Sequence, residues 1–82
     1  MRAVVHVQLK PGVLDVEGKA IEGALHGLGF PGVSNVRVGK TIALDLAATD
    51  RAAADAEVRT MAEKLLANPV IENWRVEYPS EG

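Results

Sequence analysis

Residues 36–46, Val-Arg-Val-Gly-Lys-Thr-Ile-Ala-Leu-Asp-Leu, decide the fold of this 82-residue chain. Large aliphatic residues recur at every second position on both sides of the central Gly39-Lys40 pair. Alternation with period two is typical of a half-buried strand. The Gly39-Lys40 pair suits a two-residue turn with glycine at its first central position. The stretch therefore predicts a β-hairpin whose strands are residues 36–38 and 42–46.

A strand and a helix are predicted before this hairpin. Aliphatic residues alternate from Ala3 to Leu9, and Pro11-Gly12 ends this first strand. Asp15 is a good N-cap for the first helix, which Gly29 closes. The apolar residues of this helix fall on one face, namely Val16, Ala20, Ile21, Ala24, Leu25 and Leu28.

Three glycines, Gly18, Gly23 and Gly27, flank the apolar face of the first helix. Each glycine inside a helix costs about 1 kcal/mol relative to alanine. We therefore expect another backbone, from the sheet or from a partner, to approach this helix closely.

A helix and a strand are predicted after the hairpin. Asp50 caps the second helix and Asn68-Pro69 stops it. Residues 70–78 form the last strand, and the tail 79–82 is expected to fray. The second helix has an apolar face made of Ala54, Val58, Met61, Ala62, Leu65 and Leu66.

The predicted fold class is α+β, a two-layer sandwich with the order β-α-β-β-α-β in a single domain over residues 1–82. Both helices are expected to cover one face of a mainly antiparallel sheet with ferredoxin-like strand order. For so small a domain we favour a subunit contact on the other face. That face would carry Val4, His6, Gln8, Arg37, Ala43, Asp45 and Arg75.

Composition excludes several classes of protein. The chain has no cysteine, so disulfides and thiolate zinc sites are ruled out. Its net charge is −2 and its lysines and arginines are scattered, which disfavours a nucleic-acid partner. No apolar run is long enough to suggest a membrane span, and a signal peptide is not supported.

No residue pattern predicts a catalytic, cofactor-binding or metal site. His6 and His26 lie on different elements without a spaced carboxylate, so a metal site is not expected. No hydroxyl sits in a nucleophile elbow. The Gly39-Lys40-Thr41 segment lacks the upstream glycine of a phosphate-binding loop, since position 34 is Ser34, and it runs into a strand.

Other proteins use the same order of strands and helices. Acylphosphatase-like enzymes need a glycine-rich anion loop with an arginine after the first strand, where this chain has residues 10–13, Lys-Pro-Gly-Val. RNA-recognition domains need exposed aromatic residues on the central strands, which this chain lacks. A ligand-sensing regulatory domain stays open, because such domains often bind effectors at a dimer interface.

Most of the chain, from about residue 3 to residue 78, resembles the PurS family. The hairpin matches through residues 36–40, Val-Arg-Val-Gly-Lys, and the second half through residues 63–72, Glu-Lys-Leu-Leu-Ala-Asn-Pro-Val-Ile-Glu. The family commonly has proline where this chain has Val16, at a first-turn position that exchanges easily. The first half matches through Val13-Leu14-Asp15, Gly18, Ala20-Ile21, Ala24-Leu25 and Leu28-Gly29.

The resemblance implies a subunit without catalytic residues in phosphoribosylformylglycinamidine synthase, a ligase of purine biosynthesis. Such subunits are expected to form homodimers or higher homo-oligomers in the cytoplasm, and to bridge the large synthetase (PurL) and the glutaminase (PurQ). The complex as a whole uses ATP, magnesium and glutamine, whereas this subunit is expected to bind no cofactor. The alternative is a stand-alone dimeric ligand-sensing domain.

Surface residues are the candidates for these contacts. The hairpin turn and the exposed side of the first helix supply the partner-contact candidates, and the outward side of the central strands supplies the self-association candidates. The partner-contact candidates are Arg37, Lys40, Lys19, Glu22, Gly23 and His26. The self-association candidates are Thr41, Ala43 and Asp45.

Overall fold

The structure, a computed structural model, describes residues 1–79. The expectation of a frayed tail therefore falls, for residues 80–82, outside the described part of the chain. This described part contains three strands and two helices, and the second helix runs on into a π-helical turn. The elements are β1 (Arg2–Leu9), α1 (Val16–Gly27), β2 (Gly39–Asp45), α2 (Arg51–Met61), the π turn (Ala62–Leu66) and β3 (Glu72–Glu77).

The sheet has the order β2-β1-β3, and both pairings are antiparallel. The predicted α+β class with an antiparallel sheet is confirmed, but the hairpin is wrong, because residues 36–38 are not a strand. The element order within residues 1–79 is β-α-β-α-β. Gly39 and Lys40 lie inside β2, where Gly39 pairs with Gln8. A Cβ on Gly39 would lie 2.7 Å from the carbonyl oxygen of Val7, so this glycine serves close strand approach and not a turn.

The hydrophobic core lies between α2 and one face of the sheet. Ala3, Val5 and Val7 of the central strand β1 are fully buried, as their alternation predicted, and Leu9 at the end of the strand is half-buried. On α2 and the π turn, the inward residues follow a spacing of four, so the stripe is narrower than the predicted apolar face. Met61 is exposed and Leu65 is 83% exposed, although both were expected on that face. The buried cluster comprises Ala3, Val5, Val7, Leu46, Ala54, Val58 and Ala67.

Helix α1 contributes no residue to this core, so the prediction that both helices cover the same face is wrong. Only Gly18 is buried on α1, and Leu28 at its end is 72% exposed. The molecule measures 48 × 33 × 14 Å, with a radius of gyration of 16.2 Å. A compact chain of this length has a radius of gyration of about 12 Å. Helix α1 therefore extends the molecule and does not thicken it.

Hydrogen bonds from side chain to backbone hold α1 in place. Asp15 is 5% exposed and accepts the backbone N–H of Gly18 at 2.8 Å and that of Val38 at 2.7 Å. One carboxylate thus caps the helix and also binds the segment that leads into β2. These bonds, first from Gly18 and then from Val38, lower the pKa of Asp15. The N–H groups of Val38 and Val36 donate to Asp15 and Glu22, so neither is available to a neighbouring strand.

The remaining ties between α1 and its surroundings are also polar. Glu22 accepts the Val36 N–H at 3.3 Å. His26 Nε2 donates to the Val33 carbonyl at 2.7 Å. Arg37 donates to the carbonyl oxygens of Val13, at 3.0 Å, and Lys10, at 3.2 Å. Helix α1 is therefore attached through polar bonds to its flanking segments, and none of its apolar residues belongs to the core cluster.

Close backbone approach explains one glycine of α1. A Cβ on Gly18 would lie 2.3 Å from the Val36 carbonyl oxygen, which no real Cβ tolerates. A Cβ on Gly23 or Gly27 would meet nothing within 4 Å. The expectation that another backbone approaches this helix closely is confirmed at Gly18. Within this chain the same expectation is wrong for Gly23 and Gly27.

We predict opposite effects of alanine at two positions on α1. Gly18→Ala should lower the free energy of unfolding by about 1–3 kcal/mol, because the added methyl group forces the backbone of Val36 to move. Gly23→Ala should raise it by about 1 kcal/mol, because the same group enters open space in a helix. Urea unfolding of the two variants measures both effects. Equal effects of the two substitutions would contradict this account of Gly18.

We predict that Asp15→Asn lowers the melting temperature at neutral pH, since an amide has one oxygen to serve two N–H donors. The pKa of Asp15 is lowered from 3.8, so its ionised form contributes stability above that pH. The contribution is lost as pH falls through the lowered pKa. The gap between wild type and variant should therefore narrow in strong acid. A gap that calorimetry finds constant with pH would overturn the role given to the carboxylate.

Candidate partner interface

The sheet face opposite α2 is polar, and side-chain hydrogen bonds join its residues. Glu77 Oε1 accepts from His6 Nε2 at 2.5 Å, and Thr41 Oγ1 lies 3.4 Å from His6 Nδ1. Arg2 donates to Asp45 at 3.1 Å across the β1–β2 pair. These contacts connect all three strands. Polar contacts, and not apolar packing, therefore hold the side chains of the outer face in place.

All three self-association candidates lie together on this face. Thr41, Ala43 and Asp45 are exposed and alternate along β2. Strand β2 is an edge strand, since among residues 1–79 it pairs only with β1. The three residues could therefore meet a second copy through the outer face or through the free edge.

Arg37 and Lys40 do not form the pair that a hairpin would have presented. Arg37 was expected on the outer face, but its guanidinium bonds to backbone carbonyls of residues 10 and 13 instead. Lys40 lies opposite Val7 in the β1–β2 register and is exposed. Arg37 thus fastens the loops at one end of the sheet, whereas Lys40 leaves its ammonium group on the surface.

The four candidates on α1 divide into two pairs. Glu22 and His26 fasten the helix to residues 33–36, as described above. Lys19 and Gly23 are exposed, and the space beside Gly23 is open. Lys19 and Gly23 are therefore available to a partner, while Glu22 and His26 position the helix that carries them.

Apolar residues on and around α1 form an exposed surface, and those that lie on the helix itself were predicted to cover the sheet. The spacing of these residues in the sequence describes one helical face and does not say what covers that face. Within residues 1–79 most of this face is open to solvent. The exposed large residues here are Leu14, Val16, Ile21, Leu28 and Phe30.

A second surface was missed by sequence reasoning. Asp55 accepts from Arg59 Nε and from the Tyr78 hydroxyl, each at 2.8 Å. The bond from Arg59, followed by that from Tyr78, lowers the pKa of Asp55. Burial, and then Asp55, raises the pKa of Tyr78. A signal for this cluster was present in the sequence, since residues 51, 55 and 59 recur every four positions along one side of α2. The last strand, which the structure places beside them, carries aromatic residues.

Residues 1–79 show neither a metal-binding group nor a membrane-spanning helix. Among residues 1–79, no group of three histidine, cysteine or acidic side chains is arranged to hold a metal ion. The helices in the same range are too short or too polar to cross a membrane.

Comparison with known proteins identifies the family. A family model described as PurS: phosphoribosylformylglycinamidine (FGAM) synthase matches residues 2–80. The PurS subunit of phosphoribosylformylglycinamidine synthase from Mycobacterium leprae is 48% identical over 80 residues, which is 98% of each chain. The same subunit from Synechocystis is 50% identical over 70 residues, covering 85% of this chain and 70% of that protein.

Solved structures agree with this assignment. Bacillus subtilis PurS superposes with a TM-score of 0.83 at 45% identity, covering 93% of this chain and 94% of the other. A chain of the structure of PurLQS from Thermotoga maritima gives a TM-score of 0.85 at 33% identity, covering 93% of each chain. The chain therefore belongs to the PurS family, whose members are subunits of phosphoribosylformylglycinamidine synthase.

Proposed function

We propose that this chain is the non-catalytic subunit that bridges the synthetase (PurL) and the glutaminase (PurQ) of phosphoribosylformylglycinamidine synthase. Its likeness to a chain of the Thermotoga maritima PurLQS structure supports this role. The observation that carries it is α1, a helix whose apolar residues lie outside the core of their own chain. Family membership also argues against a stand-alone sensing domain.

In this proposal the chemistry belongs to the other two subunits. The glutaminase releases ammonia from glutamine, and the synthetase uses ATP and magnesium to convert formylglycinamide ribonucleotide into the amidine. This chain supplies contacts and binds no cofactor. Because ammonia is small and escapes readily into water, its transfer favours tightly sealed subunit contacts. A cytoplasmic location suits a reaction that consumes ATP and a ribonucleotide.

We further propose that two or more copies of this chain associate through the apolar side of α1. The accessible surface is 5668 Å² for a chain of 8.7 kDa. A compact monomer of that mass exposes about 4,700 Å². The excess of roughly 970 Å² is comparable to the area, about 800 Å² per partner, that a standard interface buries. Self-association would cover surface that an isolated chain leaves in water.

The outer sheet face is the second proposed contact. Its charged side chains are paired, and burying these pairs fully would carry a desolvation penalty. This face therefore suits a reversible contact better than a permanent one. Thr41, Ala43 and Asp45 remain candidates for self-association there, and Lys40 and Lys19 remain candidates for the partner subunits.

We expect amidine formation from formylglycinamide ribonucleotide, ATP and glutamine to require this chain together with the synthetase and the glutaminase. Free ammonia should replace glutamine even when this chain is absent, because the synthetase carries the chemistry. A coupled assay of ADP release measures both reactions. Equal glutamine-dependent rates with and without this chain would refute the bridging role.

Two glutamates on the apolar side of α1 should break self-association. Ile21→Glu and Leu28→Glu lie on one side of the helix and outside the core, so the double variant should fold. Each buried aliphatic side chain contributes about 1.5–3 kcal/mol, so the Kd of self-association should rise about a hundredfold or more. Sedimentation equilibrium measures this change. Ala56→Glu, at an exposed position of α2, is the control and should leave the Kd unchanged.

A further inference from the structure

We propose that the free edge of β3 pairs with the same edge of a second copy of this chain. The two strands run antiparallel about a two-fold axis at Val76, and they join two three-stranded sheets into one sheet of six strands. Among residues 1–79, β3 pairs only with β1, so its other edge is open. This inference goes beyond the bridging role and does not depend on it.

One backbone hydrogen bond shows which groups of β3 face the open edge. The N–H of Lys10 donates to the carbonyl oxygen of Ile71 at 2.8 Å. In an antiparallel ladder, hydrogen-bonded pairs alternate with pairs that are not hydrogen-bonded. Carried along the β1–β3 register, this alternation gives the residues whose backbone groups face β1, namely Asn73, Arg75 and Glu77. The backbone groups that face the open edge are those of Glu72, Trp74 and Val76.

The side chains of β3 are complementary to their own copies when the axis lies at Val76. On the outer face, Arg75 then lies opposite Glu77 of the second copy, and the axis repeats this pair. On the inner face, Trp74 lies opposite Tyr78 of the second copy, and this pair is repeated as well. Opposite charges and aromatic residues are both favourable pairs across neighbouring strands. The strand therefore carries the two halves of each pair in its own sequence.

Neighbouring registers and the other edge of the sheet lack this complementarity. An axis at Arg75 places two like charges opposite each other, which is destabilising. An axis at Trp74 sets Arg75 opposite Asn73 of the second copy and pairs no charges. On the β2 edge, Lys40 and Asp45 lie on opposite faces of the sheet, so pairing of β2 with itself cannot bring them together. The charge pattern therefore selects β3 and one register.

The side of α2 beside β3 also suits a second copy. A hollow of about 790 Å³ lies between α2 and β3, and α2 with its N-cap contributes two arginines and two aspartates to it. Asp55 accepts hydrogen bonds from Arg59 and from the Tyr78 hydroxyl, so positive and negative groups already lie side by side. Under a two-fold axis this mixed surface meets its own copy in the reverse direction, and acidic groups can lie beside basic ones. The balance of charge favours a copy of the same surface over a partner of one sign.

The β3 contact is separate from the contact through α1. The α1 contact buries Ile21 and Leu28 and is the tighter of the two, so the weaker association that remains in the chain with Ile21→Glu and Leu28→Glu is assigned to β3. One self-contact of this kind gives a pair of copies, whereas two different self-contacts can join four.

The first test uses a single cysteine, since the chain has none of its own. Val76→Cys places two thiols opposite each other across the axis, with Cα atoms about 5.5 Å apart, a distance that a disulfide spans. In the chain with Ile21→Glu and Leu28→Glu, mild oxidation should therefore give a linked dimer on a non-reducing gel. Thr41→Cys in the same chain, at an edge-facing residue of β2, is the matched control and should give no linked dimer.

The second test exchanges the two charges of β3. Arg75→Glu places like charges opposite each other twice, so it should raise the Kd of the remaining association about tenfold. Adding Glu77→Arg restores both opposite pairs and should return the Kd close to that of the parent chain. Sedimentation equilibrium measures both changes, and thermal unfolding of each variant checks that it is folded.

Three results would overturn the inference. These are a folded Val76→Cys chain that forms no linked dimer, equal linking by Thr41→Cys, and equal Kd values for the single and the double charge variant. If the α1 contact fails its own test, the same variants are compared in the wild-type chain. All of these experiments use the isolated chain, so the β3 contact and the bridging role can each fail without the other.

Discussion

The position of α1 depends on one carboxylate. Asp15 accepts the N–H of Gly18 at the start of the helix and the N–H of Val38 just before β2. A single buried acceptor thereby fixes both the direction of α1 and the entry into the edge strand. The contact also needs Gly18, because any Cβ there would collide with the Val36 backbone. Most of the departures from the predicted topology follow from this arrangement.

The division of labour between the helices follows from packing. Helix α2 places small and branched residues, Ala54 and Val58, against the central strand and so completes a thin core. Helix α1 is attached by polar bonds, and its large apolar residues Val16, Ile21 and Leu28 stay exposed. An amphipathic helix gains most of its stability from packing its apolar face. A helix attached in this way is suited to complete its packing in an assembly, as a subunit of a larger enzyme requires.

Two kinds of surface are then separated on the molecule. The side of α1 is apolar, whereas beside α2 and β3 the guanidinium groups of Arg51 and Arg59 lie over the rings of Tyr78 and Trp74. Burial of apolar area supplies affinity, and charge complementarity supplies specificity and speed of association. A subunit that assembles with other chains into one enzyme can use both kinds of surface.

The sequence alone determined the α+β class, the inward residues of β1, both helix N-caps and the family, because these depend on local spacing and on motifs. It did not determine whether residues 36–38 pair as a strand. Alternating apolar residues predict alternate burial, but they do not show which acceptor binds the N–H of Val38. It also did not determine what covers the apolar face of α1, because a helical period shows that one face is apolar but not what packs against it. Only the tertiary structure decided these points and brought Arg51, Arg59, Trp74 and Tyr78 together, since contacts between α2 and β3 join residues far apart in the chain.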